Sequence, residues 1–450
     1  MSDKTYKEFM LSDMQKTYHV LPRELYEKYD VQRGLRKKDG SGVMAGLTSI
    51  GDVKGYVFDD GEKIPCEGRL RYRGINVYDI VKACQKEDRF GYEEVAYLLL
   101  TGQLPTKEQL DTFNSLLSSF RELPPGFTED MILKAPSSDI MNKLARCVLA
   151  SYSYDDNPDD TSLENIFRQS IELIARMPVM AAYGYQAKAH YHDGKSLYLH
   201  APQKNLSTAE NFLYMIRPDN KYTRLEAEIL DLALIIHAEH GGGNNSAFAT
   251  RVLSSSGTDT YSAIAAAIGS LKGPRHGGAN AKVMGMIEDF KKNISDISDE
   301  SQIKEHIIKI LKHDAYDKSG LVYGMGHAIY TISDPRQKLL KEKAKELAAE
   351  CDMMDEFNLY DTIERLTPEL FAAICHNDKA MCANVDMYSG FVYKMLNIPP
   401  ELYTPIFAIS RIAGWCAHRI EEITVNKRII RPAYKSVISG REYVCIKDRA

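Results

Sequence analysis

Several features that would identify other classes of protein are missing from this sequence. The eight cysteines, at positions 66, 84, 147, 351, 375, 382, 416 and 445, are scattered, and no two of them form a CxxC pair. This spacing argues against a zinc site or a disulfide framework and predicts reduced, mostly buried thiols. The longest apolar runs, such as 232–238 and 263–271, are too short to cross a bilayer. The chain also has no GxxxxGK[ST] phosphate loop.

A strong charge of either sign is missing as well. The net charge is -5 at pH 7 and the isoelectric point is about 6.2, so the chain has no bulk attraction for nucleic acid or an anionic membrane. Any anion must therefore be bound by individually placed Arg and His side chains. The first ten residues carry charges of both signs and resemble neither a signal peptide nor a transit peptide. The sequence thus predicts a cytoplasmic protein.

Helical periodicity dominates what is present. Apolar residues recur at helical spacing in four segments, which begin at Leu225, Val283, Ile303 and Ile406. Strand-like alternation occurs only at about 51–72 and again near 442–446. A chain of 450 residues can form two or three domains, but no long linker separates its parts. We predict a mainly α protein with minor β elements, in which a smaller helical subdomain is inserted into a larger one.

Three motifs each place one titratable side chain in a turn beside a predicted helix. They are Gly-Pro-Arg-His-Gly-Gly-Ala-Asn around His276, Gly-Met-Gly-His ending at His327, and Asn-Val-Asp ending at Asp386. Taken alone, His276 is typical of a turn histidine bonded to backbone, and Asp386 of a helix cap. Together, two imidazoles and a carboxylate can deprotonate a carbon next to one carbonyl while polarising another. The three motifs therefore favour a catalytic set.

The turn at His327 leads into a predicted anion site. Alternate glycines before His327 expose backbone N–H groups to an anion or a planar ligand, although a lone GxG is weak evidence. Asp334 is the predicted N-cap of the next helix and Pro335 its first residue, so Arg336 lies in the first turn, where the helix dipole disfavours a cation. An anionic ligand would relieve this conflict. The alternative is a surface Arg paired with a carboxylate.

The two roles of Asp386 compete, because a capping carboxylate has a low pKa whereas a general base needs lone pairs that face the substrate.

His237 and His240 share a helix face and run into several glycines, but no third metal ligand is evident, so we expect a small ligand here and no metal. Arg411 lies off the apolar stripe of its helix, and Arg431 precedes a proline. Either could be a solvated cation, although Arg suits carboxylates through paired hydrogen bonds.

Taken together, these motifs resemble the citrate synthase family. The resemblance runs from Arg-Tyr-Arg-Gly at 71–74, through His-Ala-Glu-His at 237–240, to Arg-Pro at 431–432. It leaves out only the first fifty or so residues and the extreme C-terminus. It implies a mostly α-helical homodimer, with a large domain of residues 1–277 and 392–450 and a small domain of residues 278–391. The small domain would close over an active-site cleft.

The resemblance also implies a role for each motif in an acyltransferase of the tricarboxylic acid cycle. Asp386 would take a proton from the methyl group of acetyl-CoA while His276 hydrogen-bonds the thioester oxygen. His327 would polarise the ketone of oxaloacetate and protonate the new alkoxide. The oxaloacetate carboxylates would be bound by His240, Arg336 and Arg411, and Arg431 would reach the site of the other subunit. Hydrolysis of citryl-CoA would then release citrate and CoA.

Coenzyme A would be the other ligand, as substrate and product, with no permanently bound cofactor, no nucleic acid and no membrane partner. Its adenine would be received by the backbone of Val322, Tyr323, Gly324, Met325 and Gly326. Family members often bind a CoA phosphate with an Arg four residues after the turn histidine, and here that position is Thr331. The phosphates must therefore find other basic residues.

Three alternatives stay open on the sequence alone. A 2-methylcitrate synthase would use propionyl-CoA with the same catalytic set, and one methylene changes discrimination by only roughly 10- to 200-fold. A citryl-CoA or ATP-citrate cleaving enzyme would usually bring nucleotide-binding and ligase domains. A catalytically inactive dicarboxylate or CoA sensor would be expected to lack part of the proton-transfer set, which is complete here.

Overall fold

The computed structural model describes residues 21–59, 62–376 and 380–449. Most of these residues are helical, and the strands among them lie between residues 51 and 76. This confirms the prediction of a mainly α protein with minor β elements. The first ten residues, on which the prediction of compartment depends, lie outside the described residues.

The strands are β1 (Gly51–Asp59), β2 (Glu62–Tyr72) and β3 (Ile75–Asn76). The α-helices are α1 (Arg23–Lys28), α2 (Val77–Lys86), α3 (Tyr92–Thr101), α4 (Lys107–Phe120), α5 (Ile140–Ala150), α6 (Leu163–Tyr191), α7 (Thr208–Ile216), α8 (Arg224–His237), α9 (Asn245–Ser254), α10 (Thr260–Lys272), α11 (Ala279–Asn293), α12 (Glu300–Leu311), α13 (Pro335–Glu350), α14 (Met354–Cys375), α15 (Asp386–Met395) and α16 (Tyr403–Glu421). Short 3-10 or π turns lie at Arg33–Leu35, Thr128–Leu133, Ser151–Tyr154, Pro400–Leu402, Glu422–Asn426 and Ile446–Asp448. None of the described helices combines the length and apolar character that a bilayer span requires.

The chain divides into two compact units. The first unit is the described part of Met1–Arg89 with Gly278–Tyr403, and the second is the described part of Phe90–Gly277 with Thr404–Ala450. The predicted small domain, residues 278–391, begins at the same boundary, and its role as a closing domain stays a prediction. The sequence prediction placed residues 51–72 with the larger domain. In the structure they belong to the first unit, because glycines of this hairpin contact residues 329–335.

The first unit contains a three-stranded antiparallel sheet in the order β1-β2-β3. The β1–β2 register is interrupted by a bulge beside Gly55. Helix α13 begins as the sequence predicts, with Asp334 as N-cap and Pro335 as its first residue, since proline lacks the N–H that this position would leave unpaired. Helix α13 packs on α15, and α15 packs on α11.

The second unit is built around α6, which is buried along most of its length and packs against α4, α5 and α7. A helix that is apolar on most of its faces has to lie inside the core. Helix α8 begins with a capping box between Thr223 and Glu226 and ends at His237. Helix α16 is also buried on nearly every side, including Arg411, Trp415 and His418.

The strand predicted near residues 442–446 is wrong. Residues Ile446–Asp448 form a 3-10 turn, and the sheet of the described residues contains only β1, β2 and β3. Alternating side chains do not make a strand unless a neighbouring strand pairs with its backbone groups.

Candidate active site

The second unit holds His276 in the turn between α10 and α11, as the Gly-Pro break predicts. The backbone N–H of His276 donates to the Gly273 carbonyl at 2.9 Å, and its Nε2 lies 3.1 Å from the Ser246 hydroxyl. Burial, together with the charge of Arg411, lowers the pKa of His276 to about 4. The ring is therefore neutral at physiological pH.

Ser246 controls which nitrogen of His276 carries the proton. Its Oγ accepts from Trp415 Nε1 at 3.1 Å and also lies 3.0 Å from Asn244 Oδ1. A hydroxyl has one proton, so it is donated either to Asn244 or to His276 Nε2. In the second case the ring proton is on Nδ1, which can donate to a ligand. Sequence reasoning missed Ser246, because its partners lie 30 and 169 residues away in the chain.

Arg411 and His240 both lie buried in the second unit. The Arg411 Nε donates to the His237 carbonyl at 2.6 Å, and the guanidinium lies 4.7 Å from the centre of the Phe407 ring. The His237 ring stacks on the Phe407 ring, with 4.3 Å between the ring centres, so this histidine packs in the core. Arg411 is therefore fixed beside the end of α8, the helix that leads into His240.

A buried polar network follows His240. Glu239 Oε1 accepts from His418 Nε2 at 3.0 Å and from the Gly241 N–H. Arg251 lies 2.7 Å from His418 Nδ1 and also pairs with Glu421 and, at 2.9 Å, with Glu422. An arginine can only donate, so Arg251 donates to His418 Nδ1 and the ring N–H that reaches Glu239 is on Nε2. Burial raises the pKa of Glu239, but the contact with His418 and the charge of Arg411 outweigh it and lower that pKa below its usual value.

The glycine run after His240 leaves room for the side chains of this network. A Cβ on Gly242 would lie 3.1 Å from Arg251 Nε and 3.3 Å from a His418 ring carbon. The close approach predicted here for a small ligand is thus made at Gly242 by the protein's own side chains. Among the described residues, no group of three or more His, Cys, Asp or Glu side chains could hold a metal ion.

Arg431 lies on the exposed C-terminal segment of the second unit. The preceding residue, Ile430, is held by a 3.0 Å hydrogen bond from its N–H to Ser255 Oγ. Among the described residues of this chain, no hydrogen bond or ion pair to the Arg431 side chain is present. The place of Arg431 in an anion-binding site therefore stays a prediction.

In the first unit, Asn384 joins two of the predicted motifs. Its N–H donates to the Gly324 carbonyl and its Nδ2 to the Gly326 carbonyl, both at 2.8 Å. Met325 and Ala383 form an antiparallel bridge between the same segments. The glycine turn that ends at His327 is thereby held against the segment that ends at Asp386.

Asp386 is the first residue of α15, but its carboxylate does not cap the helix. Asn384 Oδ1 accepts the Asp386 N–H at 3.0 Å. No residue in the described part of the chain donates a hydrogen bond to the Asp386 carboxylate. Burial raises its pKa to about 6, although the charge of Arg336 acts in the opposite direction. The carboxylate therefore does not act as a helix cap, and its role as general base stays a prediction.

His327 has a single available tautomer in its neutral form. Its Nδ1 accepts from the N–H groups of Ile329, at 3.0 Å, and Tyr330, at 3.2 Å. The ring proton is therefore on Nε2, which can donate to a carbonyl. Burial and the charge of Arg336 lower the pKa of His327 to about 4. The Tyr330 ring stacks on the imidazole at 4.7 Å.

The charge conflict at Arg336 is relieved by the protein itself. Its Nε and Nη2 donate to the two Asp334 oxygens at 3.0 and 2.7 Å. Burial acts to lower the pKa of Arg336, but Asp334 raises it above its usual value. Both side chains are buried, so this is not the surface pair of the alternative interpretation, and an anionic ligand at Arg336 stays a prediction. The pairing uses one edge of the guanidinium and leaves Nη1 for another acceptor.

The sequence predicts that the backbone N–H groups of the segment from Val322 to Gly326 are exposed to a ligand, and in the structure two of them are already hydrogen-bonded. Gly324 and Gly326 have positive φ angles of 84° and 83°, which glycine adopts readily. However, the Met325 N–H donates to the Val322 carbonyl at 3.2 Å, and the Gly326 N–H donates to the Cys382 carbonyl at 2.7 Å. These two N–H groups are therefore not available to an anion or a planar ligand.

The chain is similar to citrate synthases along most of its length. The family model described as "Citrate synthase, C-terminal domain" matches residues 39–433. A citrate synthase of Haloferax volcanii is 37% identical over 83% of this chain and 90% of its own. A 2-methylcitrate synthase of Corynebacterium glutamicum is 32% identical over 92% of this chain and 98% of its own.

Solved structures of citrate synthases have a fold similar to that of this chain. The crystal structure from Pyrobaculum aerophilum has a TM-score of 0.74 at 30% identity and covers 91% of this chain and 94% of its own. The enzyme from Thermoplasma acidophilum, solved in ternary complex with carboxymethyl coenzyme A and oxaloacetate, has a TM-score of 0.74 at 26% identity, with 93% and 99% coverage. Since the family model, the relatives and the folds all match over most of the chain, it belongs to the citrate synthase family and is an enzyme of the acyltransferase type.

Proposed function

We propose that this protein is a citrate synthase, which condenses acetyl-CoA and oxaloacetate with water to give citrate and CoA. The observation that carries the proposal is the state of the Asp386 carboxylate. It does not cap its helix, because Asn384 accepts the Asp386 N–H, and burial raises its pKa to about 6. A base with a pKa near the working pH is effective, because it is ionised and still accepts a proton readily.

In the first step, Asp386 removes a proton from the methyl carbon of acetyl-CoA. His276 donates from Nδ1 to the thioester oxygen, on which negative charge develops. This requires the Ser246 hydroxyl to donate to His276 Nε2 and not to Asn244. The lowered pKa of His276, about 4, supports a neutral ring in this role.

In the second step, the enol carbon attacks the ketone carbon of oxaloacetate and a carbon–carbon bond forms. His327 donates its Nε2 proton to the ketone oxygen, which becomes the hydroxyl of citryl-CoA, and the proton taken up by Asp386 is returned to His327 through water, so that both groups regain their starting states. The two backbone hydrogen bonds to Nδ1 support this direction of donation. Water then cleaves the thioester, so that citrate and the CoA thiol are released.

The carboxylates of oxaloacetate are bound by His240, Arg336 and Arg411. Arg336 offers Nη1, because Asp334 occupies the other edge of its guanidinium. Arg411 is buried and oriented through the His237 carbonyl, which supports a fixed direction for its remaining N–H groups. Arg431 of the partner subunit completes the site in a homodimer, in agreement with its exposed position in the single chain.

Coenzyme A binds along Val322, Tyr323, Gly324, Met325 and Gly326. The relative from Thermoplasma acidophilum was solved with a CoA analogue and oxaloacetate, which supports this pair of ligands. Because the Met325 and Gly326 N–H groups are already paired, the adenine contacts fall to the other backbone groups and the side chains of this segment.

The test is the release of free thiol from acetyl-CoA with and without oxaloacetate. We expect release that depends on oxaloacetate and gives citrate in equal amount. Thiol release that is independent of oxaloacetate, or no release at all, would contradict the proposal.

A second candidate is 2-methylcitrate synthesis from propionyl-CoA, because proteins of that name are also among the relatives. The two activities differ by one methylene in the acyl pocket. We expect a higher kcat/KM for acetyl-CoA than for propionyl-CoA. The reverse order would favour the second candidate while leaving the catalytic roles unchanged.

A further inference from the structure

We propose that the hairpin of β1 and β2 is a positioning element for the oxaloacetate site, in which Gly55 and Gly68 provide a surface without side chains that fixes the loop between His327 and Arg336. The inference rests on the proposed function, because it concerns the two residues of the first unit to which that function assigns the ketone and a carboxylate.

The bulge in the hairpin places both glycines on the same part of the strands. Lys54 pairs with Arg69, and the next regular pair is Tyr56 with Pro65. Gly55 on β1 is therefore opposite residues 66–68 on β2. Bulges occur next to active sites, and a strand glycine often marks the close approach of another backbone.

The loop of residues 328–335 lies directly on these glycines. A Cβ on Gly55 would overlap the Ile329 carbonyl and lie 2.9 Å from the Tyr330 Cα. A Cβ on Gly68 would overlap the Ser333 carbonyl and lie 2.8 Å from a Tyr330 ring carbon. Such distances are too short for real contacts, and the overlapped atoms are backbone, so any side chain here would displace the loop.

Hydrogen bonds hold the loop in place on the hairpin. The Gly68 N–H donates to Ser333 Oγ at 3.1 Å, and Ser333 in turn donates to Glu67 Oε2. Glu67 also pairs with Lys338 of α13 at 2.8 Å. The hairpin is thus bonded both to the loop and to the helix that carries Arg336.

The two ends of the loop adjoin His327 and Arg336, the two residues proposed to bind oxaloacetate. At one end, the Tyr330 N–H donates to His327 Nδ1, and the Tyr330 ring stacks on the imidazole. At the other end, a Cβ on Gly68 would lie 3.0 Å from Pro335, the residue before Arg336. A displacement of the loop would therefore change the orientation of His327 and the distance from it to Arg336.

The main test substitutes Gly68→Ala, with Gly46→Ala as the matched control. A Cβ at Gly46 would meet no atom within 4 Å, so the control introduces the same methyl group without contact. We expect KM and Kd for oxaloacetate to rise about tenfold or more in Gly68→Ala, since small misplacements of binding groups are costly. We expect KM for acetyl-CoA to change by less than about twofold, and the control to match the wild type.

Ser333→Ala is the second variant, in case Gly68→Ala does not fold. It removes the acceptor of the Gly68 N–H and the donor to Glu67 without adding bulk, and we expect oxaloacetate affinity to fall about three- to tenfold, because the loop loses both of these hydrogen bonds to the hairpin. Unchanged oxaloacetate affinity in a folded Gly68→Ala or Ser333→Ala protein, or an equal loss of affinity for both substrates, would overturn the inference.

The same experiments separate this inference from the proposed function. A wild-type protein that neither binds oxaloacetate nor releases thiol would refute the function. Hydrogen exchange at the Ile329 and Tyr330 amides, which donate to His327, then tests the inference alone. Gly68→Ala should accelerate this exchange relative to Gly46→Ala, and equal exchange would show that the hairpin does not fix the loop.

Discussion

Asp386, the proposed base, begins its helix without using its carboxylate to cap it. Asn384 accepts the Asp386 N–H, and the carboxylate is left in a buried environment that raises its pKa to about 6. His276 and His327 are neutral for a related reason, since burial lowers the pKa of each to about 4. At the scale of single residues, desolvation therefore sets the protonation state of all three groups.

Substituting Asp386→Asn tests the base. We expect kcat to fall by about 10² to 10⁴, because the amide cannot accept a proton. Oxaloacetate affinity should stay within about twofold, and the thermal midpoint should be unchanged or higher, since burial disfavours the charge that the substitution removes. Asp355→Asn, an exposed acid in the first turn of α14, is the control. Turnover that survives Asp386→Asn would refute the role.

The pH dependence of kcat/KM tests the raised pKa. We expect activity to fall about tenfold per pH unit below a midpoint near 6, as Asp386 becomes protonated. His276 and His327, with pKa values of about 4, should add no step above pH 5.

Unfolding should not explain this loss of activity. Between its unfolded pKa of 3.8 and about 6, Asp386 binds a proton in the folded state that the unfolded state releases, so this group stabilises the fold as the pH falls. Thermal melts at each pH provide the control. A midpoint near pH 4 in the pH dependence of kcat/KM would contradict the argument that burial raises the pKa of Asp386.

At the scale of elements, buried polar contacts fix the orientation of helices around the site. Arg251 on α9 pairs with Glu421 and Glu422 at the end of α16 and contacts His418. His418 in turn holds Glu239, the neighbour of His240. One side chain thus connects α9, α16 and the turn that carries a predicted oxaloacetate ligand.

Arg251→Met should be strongly destabilising. It removes the Arg251 cation from the buried Glu422 and the largely buried Glu421, and we expect a loss of about 3–5 kcal/mol in the free energy of unfolding. Arg365→Met is the matched control, because Arg365 and Glu300 are more than half exposed and such a pair contributes below about 1 kcal/mol. Chemical denaturation would measure both variants, and similar losses in the two would show that burial of the Arg251 network is energetically unimportant.

At the scale of the whole molecule, the proposal that Arg431 acts in the partner's site requires a homodimer. The molar mass in solution should be twice the chain mass of 50.8 kDa. Arg431→Ala should weaken oxaloacetate binding, and Asp386→Asn should abolish turnover. Mixing the two variants, assayed at an oxaloacetate concentration at which Arg431→Ala alone is nearly inactive, should restore about a quarter of wild-type activity, because half of the dimers would be mixed and each would hold one intact site.

Either variant alone, taken through the same dissociation and mixing, is the control for that experiment. No recovery in mixtures that contain verified mixed dimers would place Arg431 in its own subunit's site or outside any site.

Local features of the fold could be predicted from the sequence, because they depend on neighbours in the chain. The start of α13 at Asp334 and Pro335 follows from capping and from the fixed φ of proline. The hairpin at 51–72 and the amphipathic helices follow from periodicity. The predicted strand near 442–446 failed because a strand also needs a partner, which local alternation does not supply.

The sequence by itself determined the helices, the glycine turns and the presence of two imidazoles and one carboxylate, since each is set by residues a few positions apart. Only the tertiary structure decided how those groups can act. The proton position on His276 depends on Ser246, and the buried contacts of His418 are made to Glu239 and Arg251. The loop after His327 is held by a hydrogen bond between Gly68 and Ser333, which lie 265 residues apart in the chain. Desolvation and hydrogen bonding act between groups that are close in space, and a linear pattern does not record which distant residues the fold brings together.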